Sequence, residues 1–169
     1  MVSTAYILLG SNMGNKIRLL QEASALIDRL AGKITQYSFY YESAPWGFET
    51  EEWFINQAIT IRTSLSPEQL LQTTQGIERT MGRGSPQYAV RSRQYTSRPI
   101  DIDILFYNEI IISTPVLTIP HPLLQERLFT LLPLAEIATE FVHPVFNKTI
   151  ATLLMECSDT GVVRKMFVS

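Results

Sequence analysis

The run Ile100-Asp101-Ile102-Asp103-Ile104-Leu105 constrains the fold of this chain more than any other segment, because apolar and acidic side chains alternate in it. A strand sends successive side chains to opposite faces, so the isoleucines enter a core while the two aspartates project together, roughly 7 Å apart. Aspartate is depleted in strands, and neighbouring carboxylates repel each other. The run therefore predicts a strand that carries either a solvated acidic face or a site for a hard cation such as Mg²⁺.

A stretch rich in arginine and free of acids leads into this strand. Residues 79–100 hold five of the 14 basic residues in a chain whose net charge is −2. Guanidinium groups suit phosphate oxygens, and phosphoryl transfer needs such neutralisation beside a metal. The arginines therefore favour a nucleotide-handling metal site, and we expect residues 84–97 to form a lid that closes on the nucleotide. The five are Arg79, Arg83, Arg91, Arg93 and Arg98.

The order of the predicted elements indicates an α+β fold. Strands are expected at residues 5–9, 34–41, 54–63, 100–107 and 110–112, and helices at residues 16–30, 67–82, 123–137 and 150–157. The second helix has a strong start, because Ser66 and Gln69 can form a capping box around Pro67. The order β-α-β-β-α-β predicts a ferredoxin-like sandwich, an antiparallel sheet covered by helices on one face, with C-terminal additions.

The length of 169 residues predicts a single domain spanning residues 1–169. The chain is 46% apolar and 18% charged, which is typical of a folded protein. Its only cysteine, Cys157, cannot form an internal disulfide, so a cytoplasmic location is expected. No apolar run approaches the ~18 residues of a membrane span, which predicts a chain without a membrane partner. The oligomeric state stays open, a monomer included.

Other functions fit the pattern less well. Gly10 to Lys16 superficially resembles a phosphate-binding loop, but the glycine spacing is short by one and Ile17 replaces the Ser or Thr. A nucleotidyltransferase would hold its Gly-Ser and Asp-x-Asp motifs close together in sequence. A ferredoxin-like RNA-binding module would want a basic sheet face, whereas two acids occupy this one. A metal-dependent glycosyltransferase is disfavoured by the length of the chain.

Several stretches, taken together and in order, resemble the 6-hydroxymethyl-7,8-dihydropterin pyrophosphokinase family. They are Ala5–Ile7, Gly10–Asn12, Ser43–Gly47, Phe54–Ala58, Gln75–Arg83, Arg98 with Ile100–Leu105, Ile119–Pro122 and Arg127–Phe129. The resemblance implies an enzyme that moves pyrophosphate from ATP to the pterin hydroxymethyl group and releases AMP. It implies small-molecule substrates and no nucleic-acid partner.

The resemblance also implies site residues. Two Mg²⁺ ions would be held by Asp101 and Asp103, with ATP as co-substrate, and catalysis would rest on these aspartates with Arg83 and Arg98. The pterin would stack between Phe54 and Phe129, and the full set of implied pterin-binding residues is Gly10, Ser43, Ala44, Trp46, Phe54, Asn56 and Phe129. The implied ATP-binding residues are Gln75, Glu78, Arg91, Arg93, Tyr95, Arg98, Ile104, Thr118, His121 and Arg127.

The sequence departs from the family pattern before the aspartates. The usual Arg-Trp-Gly-Pro-Arg is here Gln94-Tyr95-Thr96-Ser97-Arg98, so Tyr95 stands in the place of the tryptophan. The loop after Arg83 is longer than is common in the family. Either Arg91 or Arg93 can therefore take the second phosphate-binding role. Val116 stands where some members carry a basic ATP contact.

Overall fold

An antiparallel sheet forms the frame of the molecule, whose computed structural model describes residues 1–45, 52–82 and 99–167. The strands are β1 (Ser3–Ser11), β2 (Lys33–Tyr37), β3 (Tyr40–Ser43), β4 (Phe54–Thr63), β5 (Asp101–Tyr107), β6 (Ile112–Ser113), β7 (Thr118–Ile119) and β8 (Val163–Met166). The helices are α1 (Lys16–Leu30), α2 (Pro67–Thr80), α3 (Leu128–Ala138) and α4 (Ile150–Glu156). The described residues thus form an α+β fold, as the sequence predicts.

The apolar first strand lies in the middle of the sheet. Strand β1 pairs with β4 on one side and β5 on the other, β4 pairs in turn with β2 and β3, and β8 pairs with β3. Every pairing is antiparallel. Strands β6 and β7 form a separate two-stranded sheet. Central position explains why Ile7 and Leu9 are completely buried.

Helices cover both faces of the sheet. The two helices of the predicted β-α-β-β-α-β order, α1 and α2, share one face as expected, and the C-terminal helices cover the other. Ile7 and Leu9 share a core with Leu20 of α1 and Ile77 of α2. Leu8, which points the opposite way, belongs to a second core with residues of α3 and α4. The C-terminal helices are thus a third layer, because β1 is apolar on both of its faces and each face must be buried.

Strand β5 follows the predicted alternation only in its first half. Ile102 and Ile104 are 6% exposed and face α1 and α2, whereas the two aspartates on the other face are partly exposed. The pairing with β1 then slips between Tyr6 and Ile7. The extra residue of this bulge places both Leu105 and Phe106 in the second core.

The starts of α1, α2 and α4 agree with the predicted ones, and a side-chain cap marks each of them. Ser66 accepts a hydrogen bond from the backbone of Gln69, whose side chain accepts one from the backbone of Ser66, so the predicted capping box is confirmed. Asn15 caps α1 in the same manner through the amide of Arg18. Thr149 caps α4 by accepting from the amide of Thr152.

Several observed elements differ from the predicted ones. The strand expected at residues 34–41 is split at Ser38. Its backbone N–H donates to O of Ala58, but its side-chain Oγ accepts from the N–H of Ala58. The helix expected at residues 123–137 begins only at Leu128, after a short 3-10 turn. Strand β8 was not predicted at all.

Among the described helices, none combines the length and apolar character needed to cross a membrane. The expected lid at residues 84–97 lies outside the described residues.

Candidate active site

Three neighbouring strands meet at Gly10, the last but one residue of β1. Gly10 pairs with Asn56 of β4 on one side and with Asp101 of β5 on the other. A Cβ atom at Gly10 would lie 3.0 Å from Oδ1 of Asn56 and 3.9 Å from Cδ1 of Phe54. Glycine is therefore favoured here by close approach of side chains, not by a special backbone angle. One residue thus joins two chemically different parts of the sheet.

A polar pair lies on the β4 side of Gly10. The amide Nδ2 of Asn56 donates to Oγ of Ser43 at 2.8 Å, and the two residues are 2% and 1% exposed. Phe54 and Ser43 are partners in the β3–β4 pairing, so an aromatic ring stands beside the polar pair. Ala44 follows directly and donates its backbone N–H to O of Val162 at 3.1 Å. Such an arrangement suits a flat ligand with a hydrogen-bonding edge.

The second aromatic residue implied for the pterin, Phe129, lies in the first turn of α3. Its ring is partly buried against the second core, and the guanidinium of Arg127 stands 5.6 Å from the ring centre. Helix α3 packs on β4, on the face to which Asn56 and Phe54 belong. The structure therefore brings both implied ring residues to one side of the sheet.

Asp101 and Asp103 stand at the start of β5, opposite Gly10 and Leu8 of β1. They share the face that α3 and α4 cover, and both are partly exposed. The backbone N–H of Ile102, between them, donates to Oε1 of Glu78 at 2.8 Å. Glu78 is itself 6% exposed, so a buried carboxylate of α2 holds the outer edge of β5 at the aspartates.

His121 lies beside this edge as a neutral imidazole. Its backbone N–H donates to O of Leu105 at 3.0 Å, and its Nδ1 accepts from the N–H of Leu123 at 3.3 Å. The pKa of His121 is lowered to about 4, mainly by burial and also by the charge of Arg127, while the charge of Asp101 opposes the shift. His121, Arg127 and Asp101 are therefore within electrostatic reach of one another.

The two carboxylates of β5 fit a metal ion that takes its other ligands from a bound substrate and from water. Within residues 1–45, 52–82 and 99–167, no group of three or more His, Cys, Asp or Glu side chains is placed to hold an ion. Magnesium in proteins commonly uses one or two carboxylates and completes its shell with phosphate oxygens and water. Asp101 and Asp103 match that ligand number.

The remaining implied ATP residues are scattered. Gln75 and Thr118 are exposed, on α2 and β7 respectively. Ile104 is a core residue on the face opposite the aspartates, so only its backbone is placed to meet a nucleotide there. The other residues implied for the site lie outside the described part of the chain; they are Trp46, Arg83, Arg91, Arg93, Tyr95 and Arg98.

Two structural roles escaped the sequence analysis. Glu78, which the resemblance implies for ATP, also accepts a hydrogen bond from β5; an acid on the buried stripe of Thr74 and Ile77 was the available signal. Lys16 donates to O of Trp53 at 2.7 Å and lies 3.3 Å from Glu52. Its ammonium is therefore engaged by the protein, in agreement with the conclusion that Gly10 to Lys16 is no phosphate-binding loop.

Comparisons with known proteins find related sequences. The chain is 43% identical over 141 residues to the 2-amino-4-hydroxy-6-hydroxymethyldihydropteridine pyrophosphokinase of Bacillus subtilis. The aligned residues cover 83% of this chain and 81% of that protein. It is 36% identical to the Methylorubrum extorquens protein of the same name, over 96% of this chain and 99% of that one.

A solved structure supports the fold. The crystal structure of wild-type Plasmodium falciparum HPPK-DHPS superimposes with a TM-score of 0.74 at 19% sequence identity, over 92% of this chain. This chain spans 45% of that longer protein.

The family model named 7,8-dihydro-6-hydroxymethylpterin-pyrophosphokinase (HPPK) matches residues 6–139, which run from within β1 to the end of α3 and include every described residue of the candidate site. Together with the identity to the curated relatives, this match shows that the chain belongs to the HPPK family.

Proposed function

We propose that the chain transfers a pyrophosphate group from ATP to the hydroxymethyl group of 6-hydroxymethyl-7,8-dihydropterin, releases AMP and acts in folate biosynthesis. The observation that carries the proposal is the pairing around Gly10, which has Asn56 on one side and Asp101 on the other. Transfer between two substrates requires their reacting atoms to be held next to each other. A pterin pocket and a metal site on adjacent strands meet that requirement.

The pterin would bind on the β4 side. Its two faces would stack on Phe54 and Phe129, since aromatic rings prefer stacked or edge-on neighbours. Asn56, fixed by Ser43, would present a hydrogen-bonding edge to the ring. Ala44 and Trp46 would close the pocket beside them. The close packing of Asn56 against Gly10 supports this role, because a preset amide needs no reorganisation when the ligand binds.

The phosphates would bind on the β5 side, with two Mg²⁺ ions held by Asp101 and Asp103. When bound, these ions would supply charge neutralisation for the phosphoryl oxygens. The oxygen of the pterin hydroxyl bonds to the β-phosphorus while the bond from that phosphorus to the α,β-bridging oxygen breaks. AMP leaves with the bridging oxygen, and the hydroxyl proton is released.

The neutral His121 would act as a hydrogen-bond donor to the nucleotide. Since its Nδ1 accepts from Leu123, the proton lies on Nε2, where it can be offered to a phosphate oxygen. Arg127, whose charge acts on His121, would bind the same phosphates. The remaining implied residues would complete the nucleotide site. They are the catalytic Arg83 and Arg98, Arg91 or Arg93, Tyr95, Gln75, Glu78, Ile104 and Thr118.

Five further features belong to the same proposal. The strand order β5-β1-β4 with β2 and β3 beyond supports a ferredoxin-like core. Residues 1–169 would form a single domain, monomeric and located in the cytoplasm, which acts on small molecules alone.

The decisive experiment identifies the nucleotide product. The chain is incubated with ATP, Mg²⁺ and 6-hydroxymethyl-7,8-dihydropterin, and the nucleotides are separated by chromatography. AMP formed in equal amount to the pterin product is expected. ADP would instead indicate a simple kinase, and the absence of pterin-dependent turnover would refute the proposal.

A further inference from the structure

The C-terminal segment, residues 158–167, follows α4 and returns to the sheet as β8. It lies beyond residues 6–139, the part that the family model matches. Its contacts nevertheless reach two separate walls of the proposed pterin site. One contact is made to the start of α3, next to Phe129, and the others are made to the end of β3 and the residue before β4.

The first contact is a carboxylate at the N-terminus of α3. Oδ2 of Asp159 accepts from the backbone N–H of Leu128 at 2.9 Å, and Oδ1 accepts from the N–H of Gly161 at 2.8 Å. Both oxygens of Asp159 are thus used, one to hold α3 and one to hold the turn of its own segment. Leu128 separates Arg127 from Phe129, so the bond fixes the backbone between two residues implied for substrate binding.

The sequence at the start of α3 explains why a residue distant in sequence makes this contact. The first N–H groups of a helix lack partners within it, and an adjacent Ser, Thr, Asp or Asn normally accepts from one of them. At α3 the capping position is Arg127, which has no acceptor in its side chain and makes no capping bond. Asp159 supplies that acceptor from 31 residues further along the chain, with the negative charge that a helix N-terminus favours.

The second set of contacts reaches the opposite wall. O of Val162 accepts from the N–H of Ala44 at 3.1 Å, and Val163 pairs with Ser43. The guanidinium of Arg164 lies over the ring of Trp53, 4.8 Å from its centre, immediately before Phe54. Consecutive residues of one segment therefore bind both β3, which carries Ser43 of the polar pair, and the residue next to the first ring.

We propose that the C-terminal segment sets the distance between the two walls of the pterin site, and that Asp159 is a positioning residue for Phe129 and Arg127. Asp159 touches neither substrate and acts through the backbone of Leu128. This inference rests on the proposed function, since it assigns the two walls to the pterin. Its physical basis is that a stacking site binds tightly only when its two faces are held apart at a fixed spacing before the ligand arrives.

The test compares Asp159→Ala with a matched loss of a helix cap elsewhere. Thr149→Ala removes the cap of α4, a helix with no residue implied for the site. Both variants should lower the Tm. Only Asp159→Ala should raise the KM for the pterin, by roughly 2- to 30-fold, the range that loss of a cap spans as an equilibrium constant. Its kcat at saturating pterin and ATP should stay within about twofold of wild type, since Asp101 and Asp103 are unchanged.

Asp159→Asn provides a graded version that keeps the size of the side chain and one acceptor oxygen. It should recover part of the pterin affinity lost in Asp159→Ala, and it serves as the main variant if the alanine form does not fold. A pterin KM that is unchanged in both Asp159 variants, with a Tm loss like that of Thr149→Ala, would show that Asp159 is a cap and nothing more.

Hydrogen exchange separates this proposal from the proposed function. In the ligand-free full chain, Asp159→Ala should speed exchange at the amides of Leu128 and Phe129, while amides of β1 stay at wild-type rates. Unchanged exchange at the start of α3 would overturn the positioning role even if the wild-type chain makes AMP. Conversely, a wild-type chain that forms no AMP would remove the proposed function while the exchange result still decides whether Asp159 holds α3.

Discussion

The metal side and the pterin side of the candidate site are built in opposite ways. On the metal side, Asp101 and Asp103 come from one strand, two positions apart, and a bond from Ile102 to Glu78 holds that strand from outside. On the pterin side, Phe54 and Phe129 are 75 positions apart in sequence and belong to a strand and a helix. The first arrangement is fixed by local alternation, and the second exists only when the layers are assembled.

The difference shows where each side is vulnerable. A carboxylate pair on a strand keeps its spacing as long as the strand forms, so only changes of the ligands themselves should disable it. A pocket with walls on separate elements can be loosened from a distance, through Gly10 or through the C-terminal segment. Variants of the metal side should therefore change turnover, and variants of the pterin side should change affinity for one substrate.

The largest effect is expected for the metal ligands. Asp101→Ala and Asp103→Ala should each lower kcat by at least about 10³-fold, because the charge of the phosphates would lose its neutralisation in the transition state. Circular dichroism and the Tm should stay near wild type, since both side chains are partly exposed. Turnover at the wild-type rate in either variant would rule out this metal site.

A smaller effect, of the opposite kind, is expected at Gly10. In Gly10→Ala the added methyl would come within 3.0 Å of Oδ1 of Asn56 and push the amide away from its bond with Ser43. Disturbing a buried hydrogen bond costs about 1–3 kcal/mol, so pterin affinity should fall roughly 5- to 100-fold. Isothermal titration with pterin and with an ATP analogue should show that nucleotide affinity changes much less; an equal loss for both ligands would contradict the separation of the two sides.

Glu78 tests whether the metal side has a remote support of its own. Glu78→Ala leaves the N–H of Ile102 without its acceptor and should destabilise the chain by about 2 kcal/mol in urea unfolding. The Mg²⁺ concentration for half-maximal activity should rise in the same variant while the pterin KM holds. Glu78→Gln keeps an acceptor oxygen and should be milder in both measurements; a pterin-specific defect in Glu78→Ala would instead tie α2 to the pterin wall.

The smallest effect is the pH dependence of stability that arises from two histidines in different regions of the fold. Burial lowers the pKa of His121, beside the site, to about 4 and also lowers the pKa of His143, whose Nδ1 accepts from the amides of Val145 and Phe146. The unfolded chain therefore binds more protons than the folded chain below about pH 6.5, where free histidine titrates. Stability should be full above that pH and fall as the pH drops towards 4.

The contribution of each histidine can be separated by urea unfolding at pH 7.5 and pH 5. His143→Asn should reduce the loss of stability between these two pH values, because one of the two titrating groups is gone. The remaining loss should belong to His121. A pH dependence that is unchanged in His143→Asn would mean that His143 titrates alike in the folded and unfolded chain.

Much of the metal side could be read from the sequence. The alternation in Ile100 to Leu105 fixed which side chains are buried, and the capping box at Ser66 fixed where α2 begins. Both are properties of a few consecutive residues. The bulge that places Leu105 and Phe106 on the same face was not predictable in this way, because it depends on how β5 fits against β1.

By itself, the sequence determined the strand with two aspartates, the central apolar strand and the start of each of the first two helices, because these depend on periodicity and on local hydrogen bonds. Only the tertiary structure decided that α3 and α4 cover the second face of the sheet, that Glu78 holds β5, and that Asp159 caps α3. The two hydrogen bonds join residues 24 or more positions apart, and the packing of α3 and α4 joins whole layers. No local sequence pattern shows which distant partner a buried group will contact. The pterin side of the site consists largely of such contacts, which is why the chain had to be seen folded before its two walls could be related.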